Sequence, residues 1–385
     1  MRILYLMTEP FGIGGVQSDI LMLTEDLTSK GHEVHVATTA GILLEELIGK
    51  GAHYVDIDFR FRNVRNLLKA ARLLRRVVRE RGIDLVAPQS VRSSIAAYLA
   101  LRVVPQGYCA RPTKKFTPIV TTIHNIHNPT NFQFAGRILR HCSDFVIFES
   151  NYERSRLLAS GLKADRSTVI HSGIDLSKFS NRTFSTELAE RYGVDPTRHF
   201  LYGIVARLSE EKGHSYLVDA FAKVAQCHPN ARLMIVGDGP LLESVRQQVA
   251  SLGLEAQVIF TGMQRDIPSH LAMFDVFVLS STRESFPLSA REAMAAGRAV
   301  IAPRIGGCAE VVDEGVTGLL FEAANVHDLA TQMSILSDRK VSTAMGMLGR
   351  KRSERLFSRE SWVNGDEKVY LEWASGQIVQ NTNVA

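Results

Sequence analysis

Two carboxylates, Glu284 and Glu292, stand with seven residues between them in STRESFPLSAREAMAAG (Ser281–Gly297), just after the apolar run DVFVLS. Pro287 suits the first position of a helix, where its missing N–H would be unpaired in any case. Glu284 then belongs to the loop at a strand mouth, and Glu292 lies about five residues, roughly 7.5 Å, along the helix. At that separation the two do not share a proton. They are suited instead to an elongated polyol ligand, such as a sugar joined through phosphates to a ribose. The alternative is a helix-face charge at Glu292, balanced by Arg291 or Arg298.

A second constellation lies in YGIVARLSEEKGHSYLVDAF. A strand ends near Ala206 and a helix begins near Gly213, so Arg207 and Lys212 bracket a strand mouth beside a helix N-terminus that favours anions. A charge-assisted hydrogen bond contributes roughly 1.5 to 3 kcal/mol, against about 0.3 to 1 for an exposed helix dipole. The two side chains would therefore dominate phosphate binding, unless Glu210 and Glu211 simply neutralise them. FGIGGVQSDIL follows the first strand, where Gly14 and Gly15 permit close approach of backbone to a ligand. A dinucleotide fingerprint would need a glycine where Gln17 stands, and the GDGP turn at Gly237 fails in the same way at Leu242. TTIHNIHN places His124 at a strand end, with Asn125 and His127 following. No third ligand is near in sequence, so no metal is expected there.

These loops need strands to carry them. Short apolar runs alternate with helical periods from RILYLMT through SDFVIFES, and again from FLYGIVAR through AVIAP. That order, with run-like strands, predicts an α/β protein of two Rossmann-like, doubly wound parallel-sheet domains. Ligands in such domains sit at the carboxyl ends of strands, here in a cleft between facing loops. The expected division is residues 1–172, a polar linker over 173–199, a second domain over 200–356, and a C-terminal helix and tail over 357–385 returning to the first domain. A chain of 385 residues accommodates two cores.

The formal charge of +5 is uneven, with 24 Lys and Arg against 16 Asp and Glu in residues 1–180. RFRNVRNLLKAARLLRRVVRER (Arg60–Arg81) holds nine basic residues and one acid. At about 100° per residue, Arg65, Lys69, Arg72, Arg76 and Arg79 form one stripe, with Val64, Leu67, Ala71, Leu74 and Val78 roughly opposite. Such a helix can pack its apolar stripe on a sheet and present the other to an anionic membrane, at about 1 kcal/mol per basic residue near the surface. Nothing accompanies the stripe to read nucleic acid. No run of about 20 apolar residues spans a bilayer, and the N-terminus reads as a strand and not a signal peptide. The expected location is cytoplasmic, peripheral on the inner face of the membrane if the basic helix binds there. Four cysteines without a CxxC pair indicate neither zinc nor a disulfide framework.

GIGGVQSDILMLTEDLTSKGHEVHVAT, VIHSGIDLSKF, VARLSEEKG, LMIVGDGPL, VIFTG and ESFPLSAREAMAAGRAVIAPRIGGCAEVVDEGVTGLLF occur in an order and spacing that resemble retaining glycosyltransferases of family 4 (glycosyl transferases group 1), which have the GT-B fold. The resemblance runs from about Met1 to Leu356. It implies that Arg207 and Lys212 hold a donor diphosphate and that Glu292 binds ribose hydroxyls. Glu284 would lie by the transferred sugar, with backbone N–H groups around Phe286, Pro287 and Leu288 assisting. Gly14, Gly15 and Gly237 would belong to the donor loops, and His124 would sit near the reaction centre. The implied reaction is same-face transfer of a hexose to a hydroxyl of a glycan or lipid-linked glycan, without metal or other cofactor, with UDP the first donor nucleotide to expect. Departures from the family pattern are SFP after Glu284, where glycine is common, Asn125 where Asp often follows the His, and VAPQS without its frequent His. Two other readings share the architecture: a sugar-nucleotide epimerase, and a non-catalytic nucleotide-sugar-binding peripheral membrane protein. The DID at Asp56–Asp58 imitates a metal motif of another fold and is discounted.

Overall fold

Strands that are apolar along their whole length need cover on both faces, and the first sheet supplies it. In the computed structural model, which describes residues 1–61, 63–103, 116–124, 129–180 and 184–376, strands β1 (Arg2–Leu6), β2 (Glu33–Thr38), β3 (His53–Asp56) and β4 (Leu85–Pro88) pair in parallel in the order β3-β2-β1-β4. A parallel bridge between Val86 and Ile119 links this sheet to β5 (Val120–Ile123), β6 (Phe145–Phe148) and β7 (Ser167–Val169), ordered β5-β6-β7. Alternation does the sorting: Ile3 and Tyr5 enter one core layer with Val34, Val36 and Leu85, while Leu4 and Leu6 enter another with Ala71, Leu74 and Val86.

The basic helix spans Val64–Glu80 and buries Ala70, Ala71, Leu74 and Val78 in that second layer. Asn63 caps it by accepting a hydrogen bond from Asn66 N at 2.9 Å. Arg65, Lys69, Arg72, Arg76 and Arg79 are all exposed. Val64, placed in the apolar stripe by periodicity, is 69% exposed; the buried face of the helix begins only at Ala70. Among the described residues no helix is long and apolar enough to cross a membrane.

The second set of strands is β8 (Phe200–Val205), β9 (Ala231–Val236), β10 (Val258–Gly262), β11 (Val276–Val278), β12 (Ala299–Pro303) and β13 (Gly318–Phe321). They form one parallel sheet ordered β10-β9-β8-β11-β12-β13, the doubly wound order with its switch point between β8 and β11. Here too both faces are covered: Leu233 and Ile235 enter one core layer, Met234 and Val236 the other.

Two compact units result, Met1–Ser172 with the chain from Glu360, and Gly173–Arg359. Residues 173–199 therefore differ from the expected linker. They carry helices Ser177–Ser180 and Thr186–Tyr192, and Phe179, Ala189 and Val194 are buried in a core layer of the second unit. In the first unit, helix Arg359–Ser375 buries Trp362, Val363 and Tyr370 against the layer of Ile3 and Tyr5.

Candidate active site

In the second unit the donor candidates converge at the carboxyl ends of β8 and β11. Lys212 donates from Nζ to Glu284 Oε1 at 2.7 Å, and Ser281 Oγ donates to the same oxygen at 2.7 Å. The loops are joined beneath this node. Gly213 sits at φ +63°, where a Cβ would lie 2.2 Å from Ser280 O, and Ser280 Oγ donates to Lys212 O at 2.8 Å. On the other side Gly306, at φ +56°, lies so close that a Cβ would come within 1.7 Å of Glu284 O. Only glycine permits that approach, and it fixes Glu284 against the loop following β12.

The carboxylate partners proposed by proximity in sequence are not the ones found. Glu211 accepts from Ser209 Oγ at 2.6 Å, leaving Lys212 to Glu284. Arg207 is exposed and makes no side-chain hydrogen bond or ion pair among the described residues. Gly237, φ +142°, packs its α-carbon against Ala206 O, which holds the turn after β9 close to the strand end that precedes Arg207.

Helix Leu288–Ala295 begins one residue later than the sequence indicates, with Pro287 at the capping position and no side-chain cap. Pro287 offers no side-chain acceptor to the first-turn N–H groups. Pro287 itself has no N–H, so of the three loop residues only Phe286 and Leu288 can donate. The Phe286 ring is buried beneath Arg291, whose guanidinium lies 4.4 Å from its centroid. Glu292, the fifth residue of this helix, is half-buried and makes no hydrogen bond or ion pair among the described residues. Neither arginine neutralises it directly: Arg291 lies on Phe286, and Arg298 donates to Phe274 O at 2.8 Å. Burial pushes the Glu292 carboxyl up to about 7, against the opposing pull of Arg291 and Lys178.

His214, at the first position of helix His214–Cys227, attracts no notice in the sequence. It is 1% exposed with both ring nitrogens unpartnered, and burial, aided by the charge of Lys212, pulls its pKa down to about 4. The ring is neutral beside the anion-favouring helix end.

In the first unit, His124 is 8% exposed and fully engaged. Nδ1 lies 2.8 Å from Glu149 Oε1 and Nε2 lies 2.8 Å from Gln89 Oε1, with Asp19 Oδ2 3.7 Å from Nδ1. Burial would lower the pKa, but the charge and hydrogen bond of Glu149, with Asp19 and Asp366 behind it, push it up to about 9. Two acceptor oxygens, of Glu149 and Gln89, face the two ring nitrogens, a setting that favours the doubly protonated ring. Asp19, His124 and Glu149 are close enough together to hold a metal ion. Asn125 and His127 lie outside the described residues. Gly14 caps helix Gly15–Ser29, which has no side-chain cap; Gln17, where a third glycine would stand, donates from Nε2 to Pro10 O at 3.1 Å.

Gln89, Glu149, Asp19 and Asp366 are absent from the residues singled out in the sequence. The first two had a signal: each is the polar residue that ends an apolar run, LVAPQ and FVIFE, as His124 ends IVTTIH. Asp19 and Asp366 lie within helices and have none.

Two family models match in tandem, "Glycosyltransferase Family 4" over residues 13–178 and "Glycosyl transferases group 1" over residues 189–352. The chain is a glycosyltransferase of the GT-B fold related to these two families, an enzyme that transfers sugar from a nucleotide-sugar donor to an acceptor. Among its relatives is N-acetyl-alpha-D-glucosaminyl L-malate synthase of Bacillus anthracis, 28% identical over 363 residues, spanning 91% of this chain and 92% of that one. A GDP-mannose-dependent alpha-(1-6)-phosphatidylinositol monomannoside mannosyltransferase of Mycolicibacterium smegmatis is 31% identical over 227 residues, 56% of this chain and 59% of that one. Among solved structures, Anabaena HepE in complex with UDP and glucose superposes with a TM-score of 0.79 at 22% identity, covering 97% of this chain and all of that one.

Proposed function

We propose that the protein is a retaining hexosyltransferase that moves a hexose from a nucleotide-diphosphate sugar to a hydroxyl of a glycan or lipid-linked glycan, without a metal, by same-face attack. The observation that supports this reading is the group at the mouths of β8 and β11: a Lys212–Glu284–Ser281 node beside a helix N-terminus that Pro287 leaves without a side-chain cap, with Glu292, which has no hydrogen-bond or ion-pair partner among the described residues, four residues along that helix. Arg207 and Lys212 would take the diphosphate. As the glycosidic bond breaks, negative charge grows on the leaving oxygen, and these cations with the helix end stabilise it. The departing diphosphate draws the acceptor proton, so no side chain has to act as nucleophile. On donor binding Lys212 would exchange Glu284 for phosphate, freeing the Glu284 carboxylate for sugar hydroxyls. Glu292 would accept from the ribose diol. Gly14, Gly15 and Gly237 would bring backbone to the donor, and the His124 imidazolium would add positive charge on the acceptor side. The exposed basic face of helix Val64–Glu80 would meet an anionic membrane surface.

The test is calorimetric titration of UDP, GDP, ADP and TDP with EDTA present, then turnover with the matching sugars and NMR assignment of the product anomer. The relatives set the panels. A GDP-mannose-dependent enzyme and a UDP complex among them make both nucleotides necessary, and the malate synthase adds L-malate to the lipid-linked acceptors. Metal-free binding of one nucleotide and a product of unchanged anomeric configuration are expected. An inverted product would overturn the mechanism, and no nucleotide binding would overturn the site.

A further inference from the structure

At the opposite ends of the same two strands the second unit has a cavity of about 230 Å³. Its floor is apolar, formed by the buried side chains of Val194, Leu201, Met273 and Phe274, and Asp275, Arg298 and Arg339 line the rest. The charges there do not balance. Asp275 is committed to Arg339, whose Nε lies 3.3 Å from Oδ1, and its Oδ2 accepts from Leu201 N at 2.7 Å. Arg339 also donates to Pro196 O at 2.7 Å and to His199 O. Among the described residues no carboxylate bonds to Arg298, which feels the Asp275 charge at a distance: Nη1 donates to Phe274 O at 2.8 Å, and Nε is buried without a partner. Burial holds its guanidinium below the ordinary value. The remaining titratable group in the lining, His199, is neutral or cationic in any state and so cannot supply an anion, and burial and nearby Arg232 hold its pKa below the ordinary value. A desolvated cation facing an apolar cavity is costly unless an anion joins it.

We propose that this cavity is a binding site for a small organic carboxylate, its apolar body on Val194, Leu201 and Met273 and its carboxylate on Arg298. The volume falls below the roughly 300 to 1,000 Å³ of drug-sized ligand pockets, which selects a compact ring or short branched chain and excludes a nucleotide. A planar carboxylate matches the guanidinium fork, as it would not match a lysine. The site is separate from the donor residues, which lie at the carboxyl ends of these strands, and the proposal does not depend on their assignment.

Sodium benzoate is the probe, titrated into the full-length protein by calorimetry, with benzyl alcohol as its uncharged counterpart. Saturable binding of one benzoate is expected, with benzyl alcohol at least tenfold weaker. Arg298→Met should weaken benzoate at least tenfold while the cooperative thermal transition is retained. Ala272→Leu, which extends a buried wall residue into the cavity, should block benzoate with Arg298 intact. If Arg298→Met does not fold, the benzyl alcohol comparison decides the role of charge and Ala272→Leu decides the place. No saturation by ~10 mM, tenfold past the millimolar range expected of so small a ligand, overturns the proposal. So does benzyl alcohol binding as tightly as benzoate, or benzoate binding undiminished in Ala272→Leu.

Discussion

A half-buried carboxylate with a pKa near 7 and no bonded partner among the described residues would be a pH-sensitive acceptor for a ligand, and Glu292 fits that description. Its folded pKa is raised above the ordinary 4.5, so ionisation is penalised in the empty protein, and the stability contributed by the protonated form is lost as pH rises from about 4.5 through 7. Ribose hydroxyls donate to the ionised form, so nucleotide affinity should rise between about pH 6 and 8. Glu292→Gln should weaken binding and flatten that rise; a pH profile of calorimetric Kd unchanged by the substitution would remove Glu292 from the donor site. Lys212→Ala should cost about 1.5 to 3 kcal/mol of nucleotide affinity, the value of a charge-assisted hydrogen bond, as read in the same titration. His214 has the opposite sign: its folded pKa of about 4 lies below 6.5, so the stability of its neutral form is lost as pH falls from about 6.5 towards 4. In the first unit, Glu149→Gln should move the His124 titration down from about 9, as followed by NMR of its ring protons, because the largest raising influence is that carboxylate. That Lys212 and Glu284 stand together at strand mouths was legible at this scale, because each follows an apolar run that reads as a strand. The state of His124 was not, since it depends on Glu149 and Gln89, 25 and 35 residues away.

Periodicity decides what is legible among the elements. Helix Val64–Glu80 is long enough for a 3.6-residue pattern to declare itself, and its five-residue basic stripe is exposed as the pattern requires. Helices Ser177–Ser180 and Thr186–Tyr192, of four and seven residues, are shorter than the window in which such a pattern can be seen. Their segment reads as polar linker because few of its residues are apolar, although Phe179, Ala189 and Val194 anchor it. The stripe makes a prediction of its own kind. Replacing Arg65, Lys69, Arg72, Arg76 and Arg79 together by Gln removes five exposed charges and leaves Ala70, Ala71, Leu74 and Val78 packed. Binding to vesicles containing phosphatidylserine should fall steeply, by about 1 kcal/mol per charge near the surface, while nucleotide affinity and melting temperature stay close to wild type. Sedimentation with vesicles measures the first quantity. Undiminished sedimentation would return the stripe to a solvated helix face.

For the whole chain, the consequential fact is that sequence order and unit membership part company after Arg359. An amphipathic segment at the end of a sequence has two sheets on which to close, and composition does not choose between them. Aromatic packing does: Tyr370 lies edge-on to Tyr5 at 6.2 Å between centroids, and Trp373 packs on Phe145 at 5.5 Å. Asp366 of the same helix is 1% exposed, and burial pushes its carboxyl up to about 8 against the pull of His124. The last helix thus contributes both core side chains and a buried carboxyl to the unit formed by the beginning of the chain. Trp362 is 4% exposed in that core, so Trp362→Ala should cost about 3 to 5 kcal/mol, the usual range for removing a buried tryptophan. The loss falls on one unit only, because no residue of the donor group touches that core layer. Calorimetric melting should therefore show one transition displaced to lower temperature and the other in place, with nucleotide affinity below the first transition unchanged. Equal displacement of both transitions, or lost nucleotide binding, would mean that the helix supports the second unit as well, and that the division of the core at Arg359 does not describe how the chain unfolds.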